Sequence, residues 1–185
     1  MSEPDLEARI QAVLPAFPAE VVREWLLPCA NRHGWPPAVL PALVPPGKWG
    51  GILLGRSLAF WQNIQWAREE RALILGDLDP ESQTILGAMI SAHFRTEPNA
   101  YSNESGGKRR VDWAFIQLSD HGVIPGRVVL LGSNDWLEVA DGFHRLAAYF
   151  AYKMMQADPA LRAAFGGDQV PLRETQPTWV GRAAD

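Results

Sequence analysis

A mixed α/β domain behind a helical N-terminal extension is what the 185-residue sequence points to. Three observations carry that reading. Residues 128–152, VVLLGSNDWLEVADGFHRLAAYFAY, run as strand, tight turn, strand and helix. Residues 5–31 carry apolar positions at helical spacing. Between them, residues 33–51 are rich in Pro and Gly. Two units follow: 1–50, a helical extension with its Pro/Gly-rich linker, and 51–185, an α/β (α+β) domain with a small mixed sheet.

Leu6, Ile10, Val13 and Leu14 set a first helix over residues 5–17. Pro18 opens a second, 19 to about 31, with Val21, Val22, Trp25 and Leu26 on one face. The two can pair as an αα-hairpin. No third helix follows in helix-turn-helix order, so no DNA-recognition module is read here. Residues 33–51 form a linker or ordered loop packed by Trp35 and Trp49. Gly47-Lys48 and Gly50-Gly51 imitate a phosphate loop, but the spacing does not match a Walker pattern. Residues 57–75 permit either periodicity. The reading adopted is a helix or bent strand to about Trp66, then a strand through Leu75. A turn at 77–80 precedes a helix over 80–94 with Ile85, Leu86, Met89 and Ile90 inward. Residues 96–107 read as a mobile loop and 108–120 as a helix ended by His121-Gly122. A short helix over 159–165 and short strands at 170–172 and 178–180 close the chain.

Val128 to Leu131 and Trp136 to Ala140 are the strands of the central unit, with the turn cluster Gly132-Ser133-Asn134-Asp135 between them. From Phe143, the residues Leu146, Ala147, Phe150, Ala151 and Met154 recur at helical spacing. Asp141 is a good N-cap type, and Gly142 lets the backbone turn sharply. His144 and Arg145 then stand at a helix N-terminus just after a strand. Free N–H groups, the positive end of the helix dipole and two donor side chains favour an anion there. Arginine can grip phosphate through two parallel hydrogen bonds, and histidine can donate a hydrogen bond or shuttle a proton near neutral pH. Asp141 either caps only, or holds a ribose or an Mg2+-bound water, or orients His144.

The segment DGFHRLAA resembles the DG-x-H-R signature of the ParB/sulfiredoxin-like superfamily. Leu118 to Pro125 and Arg127 to Leu131 resemble the helix–Gly–strand that precedes the signature, so the similarity covers Asp112 to Val180, and weakly Gln65 to Phe94. The resemblance implies a ParB/sulfiredoxin-like fold and phosphate contacts from His144 and Arg145. Members bind or hydrolyse CTP or ATP, phosphorylate small substrates, reduce oxidised peroxiredoxin or cut DNA, and related motifs occur in bacterial DNA-modification and restriction proteins. The implied activity is Mg2+-dependent hydrolysis or phosphoryl transfer with ATP or CTP as ligand. A nuclease acting on DNA or RNA is the alternative, and a non-catalytic binding or accessory protein is the third reading. Two departures narrow this. Sulfiredoxins carry a nucleophilic cysteine just before the His-Arg pair, where this chain has Phe143. Chromosome-partition ParB proteins carry a helix-turn-helix domain after the nucleotide fold, and none follows here.

Candidates outside the motif are few. In Arg68-Glu69-Glu70-Arg71, strand alternation puts Glu69 and Arg71 on one face and Arg68 and Glu70 on the other. This is a solvated edge, or else one glutamate reaches the phosphate as general base or metal ligand. Lys108-Arg109-Arg110 is the only local basic run. Cations oppose the dipole at a helix start, so a phosphate or nucleic-acid contact is weighed beside a solvated face. The expected phosphate set is therefore Asp141, Gly142, His144, Arg145, Lys108 and Arg109, with His144, Glu69 and Glu70 as catalytic candidates. His33, His93 and His121 are scattered, lack metal-ligand spacing and read as structural.

Composition bounds the rest. A net charge of −4 and a pI of about 5.6 argue against a chain-wide nucleic-acid surface while leaving room for a basic patch. The single cysteine, Cys29, excludes an internal disulfide and reads as a buried structural thiol. No apolar run approaches the roughly 18–20 residues of a membrane helix. The start, MSEPDLEAR, lacks a secretory pattern, so a cytoplasmic location without a membrane partner is expected.

Overall fold

The computed structural model describes residues 3–35, 40–96, 99–102, 107–133, 135–165 and 170–184. Strands β1 (Ile64–Arg71), β2 (Val128–Gly132), β3 (Leu137–Asp141) and β4 (Gln176–Ala183) form one mixed sheet in the order β1-β4-β2-β3. β4 runs antiparallel to β1 and parallel to β2, and β2 runs antiparallel to β3. Residues 128–131 are apolar throughout, so β2 can be buried on both faces, which suits an inner strand.

Alternation along β2 sends Val128 and Leu130 to one core and Val129 and Leu131 to another. The first core is roofed by α6 (Pro80–Phe94), α7 (Gly107–His121) and α8 (Phe143–Ala157), which supply Leu86, Leu118 and Leu146 among others. Asp79 starts α6 by accepting the N–H groups of Glu81 and Ser82, both at 3.0 Å, with Pro80 in the first turn.

The second core comes mostly from the N-terminal third. There lie α1 (Glu3–Val13) and a continuous helical stretch made of α2 (Ala19–Val21), a π-helical turn (Val22–Leu26) and α3 (Leu27–His33). Ile10, Leu14, Phe17, Trp25 and Leu26 pack with Trp61, Val129, Leu131 and Trp179. Trp25 meets Trp61 edge-on at 5.3 Å. Residues 3–33 therefore cover one face of the sheet, as α6, α7 and α8 cover the other.

Several expectations are corrected. The expected helix or bent strand to about Trp66 is a helix only to Gln62, the strand starts at Ile64, and it ends at Arg71 rather than Leu75. Ser57 caps the start of the short helix α5 (Leu58–Gln62), Asn63 ends it, and the chain extends directly after. β1 ends where β4 begins, at the pair Arg71 and Gln176. Residues 170–172 form no strand. The Tyr152 hydroxyl and the Gln156 amide instead donate to the Val170 carbonyl at 2.9 and 3.1 Å. β4 is longer than 178–180 because it pairs on both sides.

The linker is ordered by its tryptophans where it is described. Trp35 and Trp49 meet edge-on at 4.9 Å, and Trp49 Nε1 donates to the Gly34 carbonyl. Gly47, at a φ of 63°, is the N-cap of α4 (Lys48–Ile52), and Gly50 lies against the Pro45 carbonyl. Residues 36–39, 97–98 and 103–106, parts of the linker and of the expected mobile loop, lie outside the described residues. No described helix is long and apolar enough to cross a membrane.

α9 (Pro159–Phe165) matches its expected span, and Asp158 accepts the Ala160 N–H at its start.

Candidate functional site

The site begins with an irregularity in the sheet. Leu130 pairs with Val139 but Val129 pairs with Asp141, so Ala140 is one residue too many on β3. Such a bulge bends the strand and re-aims the residues that follow it. Here it delivers Asp141 and then Gly142, whose φ of 104° is open to glycine and strained for other residues.

Gly142, not Asp141, is therefore the N-cap of α8, and no side chain caps the helix start. The Asp141 carboxylate turns to the Arg145 guanidinium, four residues on, and accepts the Gly142 N–H. The first N–H groups of a 15-residue helix stay open to a ligand.

They open into a cleft of about 700 Å³, within the roughly 300–1,000 Å³ usual for small-molecule sites. Arg110, His144 and Arg145 supply its basic groups, and Glu24 and Asp141 its carboxylates. Ile85, Met89, Phe143, Tyr101 and Trp113 supply apolar and aromatic wall. Arg145 also reaches the Pro125 carbonyl at 3.5 Å. Glu24 is drawn to Arg127, whose backbone N–H it accepts at 3.3 Å and whose guanidinium lies 3.7 Å away.

Burial, then the charges of Arg110 and Arg145, push the His144 imidazole down to about 4. At pH 7 it is neutral, so it faces the cleft as a hydrogen-bonding imidazole rather than as a cation. Burial pushes the Asp141 carboxyl up, with Glu24 adding to the effect and Arg145 opposing it.

The cleft brings together Asp141, Gly142, His144 and Arg145 from the expected set and leaves the others out. Glu69 lies on the far edge strand. Its register row runs through Thr178 to Val128, the neighbour of the residue that pairs with Asp141. Three strand spacings of about 4.8 Å make a separation of about 14 Å. Glu69 is held instead between Arg71, at 3.1 Å, and Arg182, at 2.8 Å. Glu70 is exposed on the opposite face of the same strand. Neither glutamate belongs to the cleft wall.

Lys108 is engaged by Asp112, which also meets the buried His93 Nδ1 at 2.7 Å. That cluster lines a second cavity, of about 500 Å³, with Tyr152 and Met155. Arg109 is exposed and is not part of the cleft wall. The basic-run residue that reaches the cleft is Arg110. Two residues of helix rotate a side chain by about 200°, which separates Arg110 and Trp113 from Lys108 and Asp112. Helical phase could have made that choice from the sequence. No local signal marks Glu24, which enters from the N-terminal layer.

Cys29 is half-buried and packs against the second core, outside the cleft wall. Burial and the nearby Asp141 charge push its thiol up, away from the thiolate that sulfiredoxin chemistry needs. His33 and His121 are exposed at helix ends.

Among the described residues no group of three His, Cys, Asp or Glu side chains could hold a metal ion. The two cleft carboxylates are each taken by a guanidinium. This donor set does not fit an Mg2+ centre built by the protein alone. In comparison with known proteins, the chain matches no family model, no curated protein and no solved structure.

Proposed function

We propose that this chain is a nucleotide-binding protein of ParB/sulfiredoxin-like type that holds a phosphate group of ATP or CTP at the start of α8. The observation that carries the reading is the meeting of an uncapped helix start with Arg110, Arg145 and a neutral His144 in one cleft. A helix end contributes only about 0.3–1 kcal/mol to an anion. Hydrogen bonds from charged groups contribute about 1.5–3 kcal/mol each, so the two arginines decide affinity. Arg145 is partly occupied by Asp141, but a guanidinium has five N–H donors and can serve both. His144 can donate one N–H to the phosphate and gains a proton more readily once the anion is in place.

Hydrolysis or phosphoryl transfer further requires a group to activate the attacking oxygen. Glu24 and Asp141 are the carboxylates that border the cleft, each in an ion pair. That pairing favours a second reading, binding without turnover by an accessory protein. A nuclease acting on DNA or RNA ranks lower, because the net charge of −4 weakens attraction to a polyanion.

The test is calorimetric titration of ATP, CTP and a short DNA duplex into wild type, Arg110→Ala and His144→Ala, followed by phosphate-release assays. Nucleotide binding that weakens about tenfold or more in Arg110→Ala supports the reading. Unchanged affinity in both variants, or binding of the duplex alone, removes it. Phosphate release that disappears in Glu24→Gln while binding persists selects the enzyme, and no release from wild type selects the accessory protein.

A further inference from the structure

The tryptophans of this chain divide sharply. Trp25, Trp35, Trp49, Trp61 and Trp179 lie in the second core at 0–8 % exposure. Trp66 is half-buried against that core, and Trp113 and Trp136 are exposed, at 55 % and 48 %; of these two, Trp113 stands in the wall of the His144 cleft. An indole left in water forgoes a large apolar burial, so its place there asks for a partner that covers it. Trp113 lies one turn of α7 beyond Arg110, on the same side of the helix, so the ring and the guanidinium meet the cleft together. Tyr101 borders the same cleft, and Ile85, Met89 and Phe143 add apolar surface.

Phosphate needs none of this. A cleft for a bare phosphate or a sugar phosphate would be lined with donors, whereas this one sets cations beside an aromatic and apolar wall. A nucleotide has both halves: an anion for Arg110, His144 and Arg145, and a flat π-system for an aromatic face. Resting on the phosphate site proposed above, we infer that Trp113 is the base platform of the cleft. The ligand is thus a nucleotide whose base stacks on the indole, and not an inorganic polyphosphate or a phosphorylated sugar. Stacking is tolerant of base identity because every base has a π-face. Affinity for ATP and CTP is accordingly similar, and both depend on the ring.

The experiment titrates ATP, CTP and tripolyphosphate into wild type, Trp113→Ala and Trp113→Phe by calorimetry. Tripolyphosphate carries the anion without a base. Wild type is expected to bind the two nucleotides about 10- to 100-fold more tightly than tripolyphosphate. Trp113→Ala is expected to bring nucleotide affinity down to the tripolyphosphate level and to leave tripolyphosphate binding unchanged. Trp113→Phe is expected to recover most of the difference, which a merely structural role for the indole would not produce. Because the side chain is exposed, thermal unfolding of the variants should match wild type. Tripolyphosphate binding wild type as tightly as the nucleotides overturns the base platform and leaves the phosphate site standing. Nucleotide binding unaffected in Trp113→Ala overturns it equally. If neither nucleotides nor tripolyphosphate bind wild type, the phosphate site falls and the platform falls with it.

Discussion

At the scale of single residues, His144 ties the cleft to pH. Its value of about 4 in the fold lies below the ordinary 6.5, so the unfolded chain takes up the proton first. The contribution to stability is complete above about pH 6.5 and is lost as pH falls from there to about 4. His144→Gln should remove that part of the slope. Urea midpoints at several pH values between 4 and 7.5 check this, and parallel curves for the two proteins would refute it. An anion in the cleft acts in the opposite direction by favouring the imidazolium. Nucleotide affinity of wild type, taken relative to His144→Gln, should therefore improve as pH falls below 6.5. The ratio cancels the titration of the phosphate itself.

At the scale of elements, the junction of β3 and α8 depends on one backbone conformation. Gly142 holds φ at 104°, and an added Cβ would come 3.3 Å from the Arg145 guanidinium and 3.4 Å from Val128 Cα. Gly142→Ala should cost at least about 1–2 kcal/mol, the usual cost of the left-handed region for an L-residue. Displacing Arg145 would weaken nucleotide binding as well. Gly87 gives the contrast. It is exposed inside α6 with nothing within 4 Å of an added Cβ, so Gly87→Ala should stabilise by about 0.5–1 kcal/mol. Denaturation midpoints that shift the same way for both substitutions would contradict this account of the two positions.

At the scale of the whole molecule, the N-terminal helices and the sheet share a core. Trp25 is 3 % exposed and touches Phe17 and Trp61, while Val129, Leu131 and Trp179 join the same cluster from the sheet. Trp25→Ala should cost about 3–5 kcal/mol and lower the stability of the entire chain in one transition. Circular dichroism in the far and near ultraviolet, followed during denaturation, should give coincident curves. A separate early loss of helical signal, with the tertiary signal intact, would refute the shared core. The same layer brings Glu24 to the cleft, so the helical segment contributes to the site's electrostatics as well as to its support.

The order of strand, turn, strand and helix over residues 128–157, the helix over 80–94 and the grouping of Asp141, Gly142, His144 and Arg145 could all be read directly from the chain. Each is a local matter, because periodicity, caps and turns act over a few residues. The Ala140 bulge could not be read, since a slip of one residue leaves the hydrophobic pattern almost unchanged while moving the N-cap from Asp141 to Gly142. Glu69 and Glu70 are adjacent in sequence to nothing that reveals the far edge of the sheet on which they lie. The choice of Arg110 over Lys108, by contrast, was legible as helical phase along α7. Glu24 reaches Arg127 and the cleft across 103 residues of chain. Residue type and short spacing specify which groups can bind an anion. Strand order, register and the packing of the N-terminal layer specify which of them meet, because those depend on contacts between segments that no local pattern encodes.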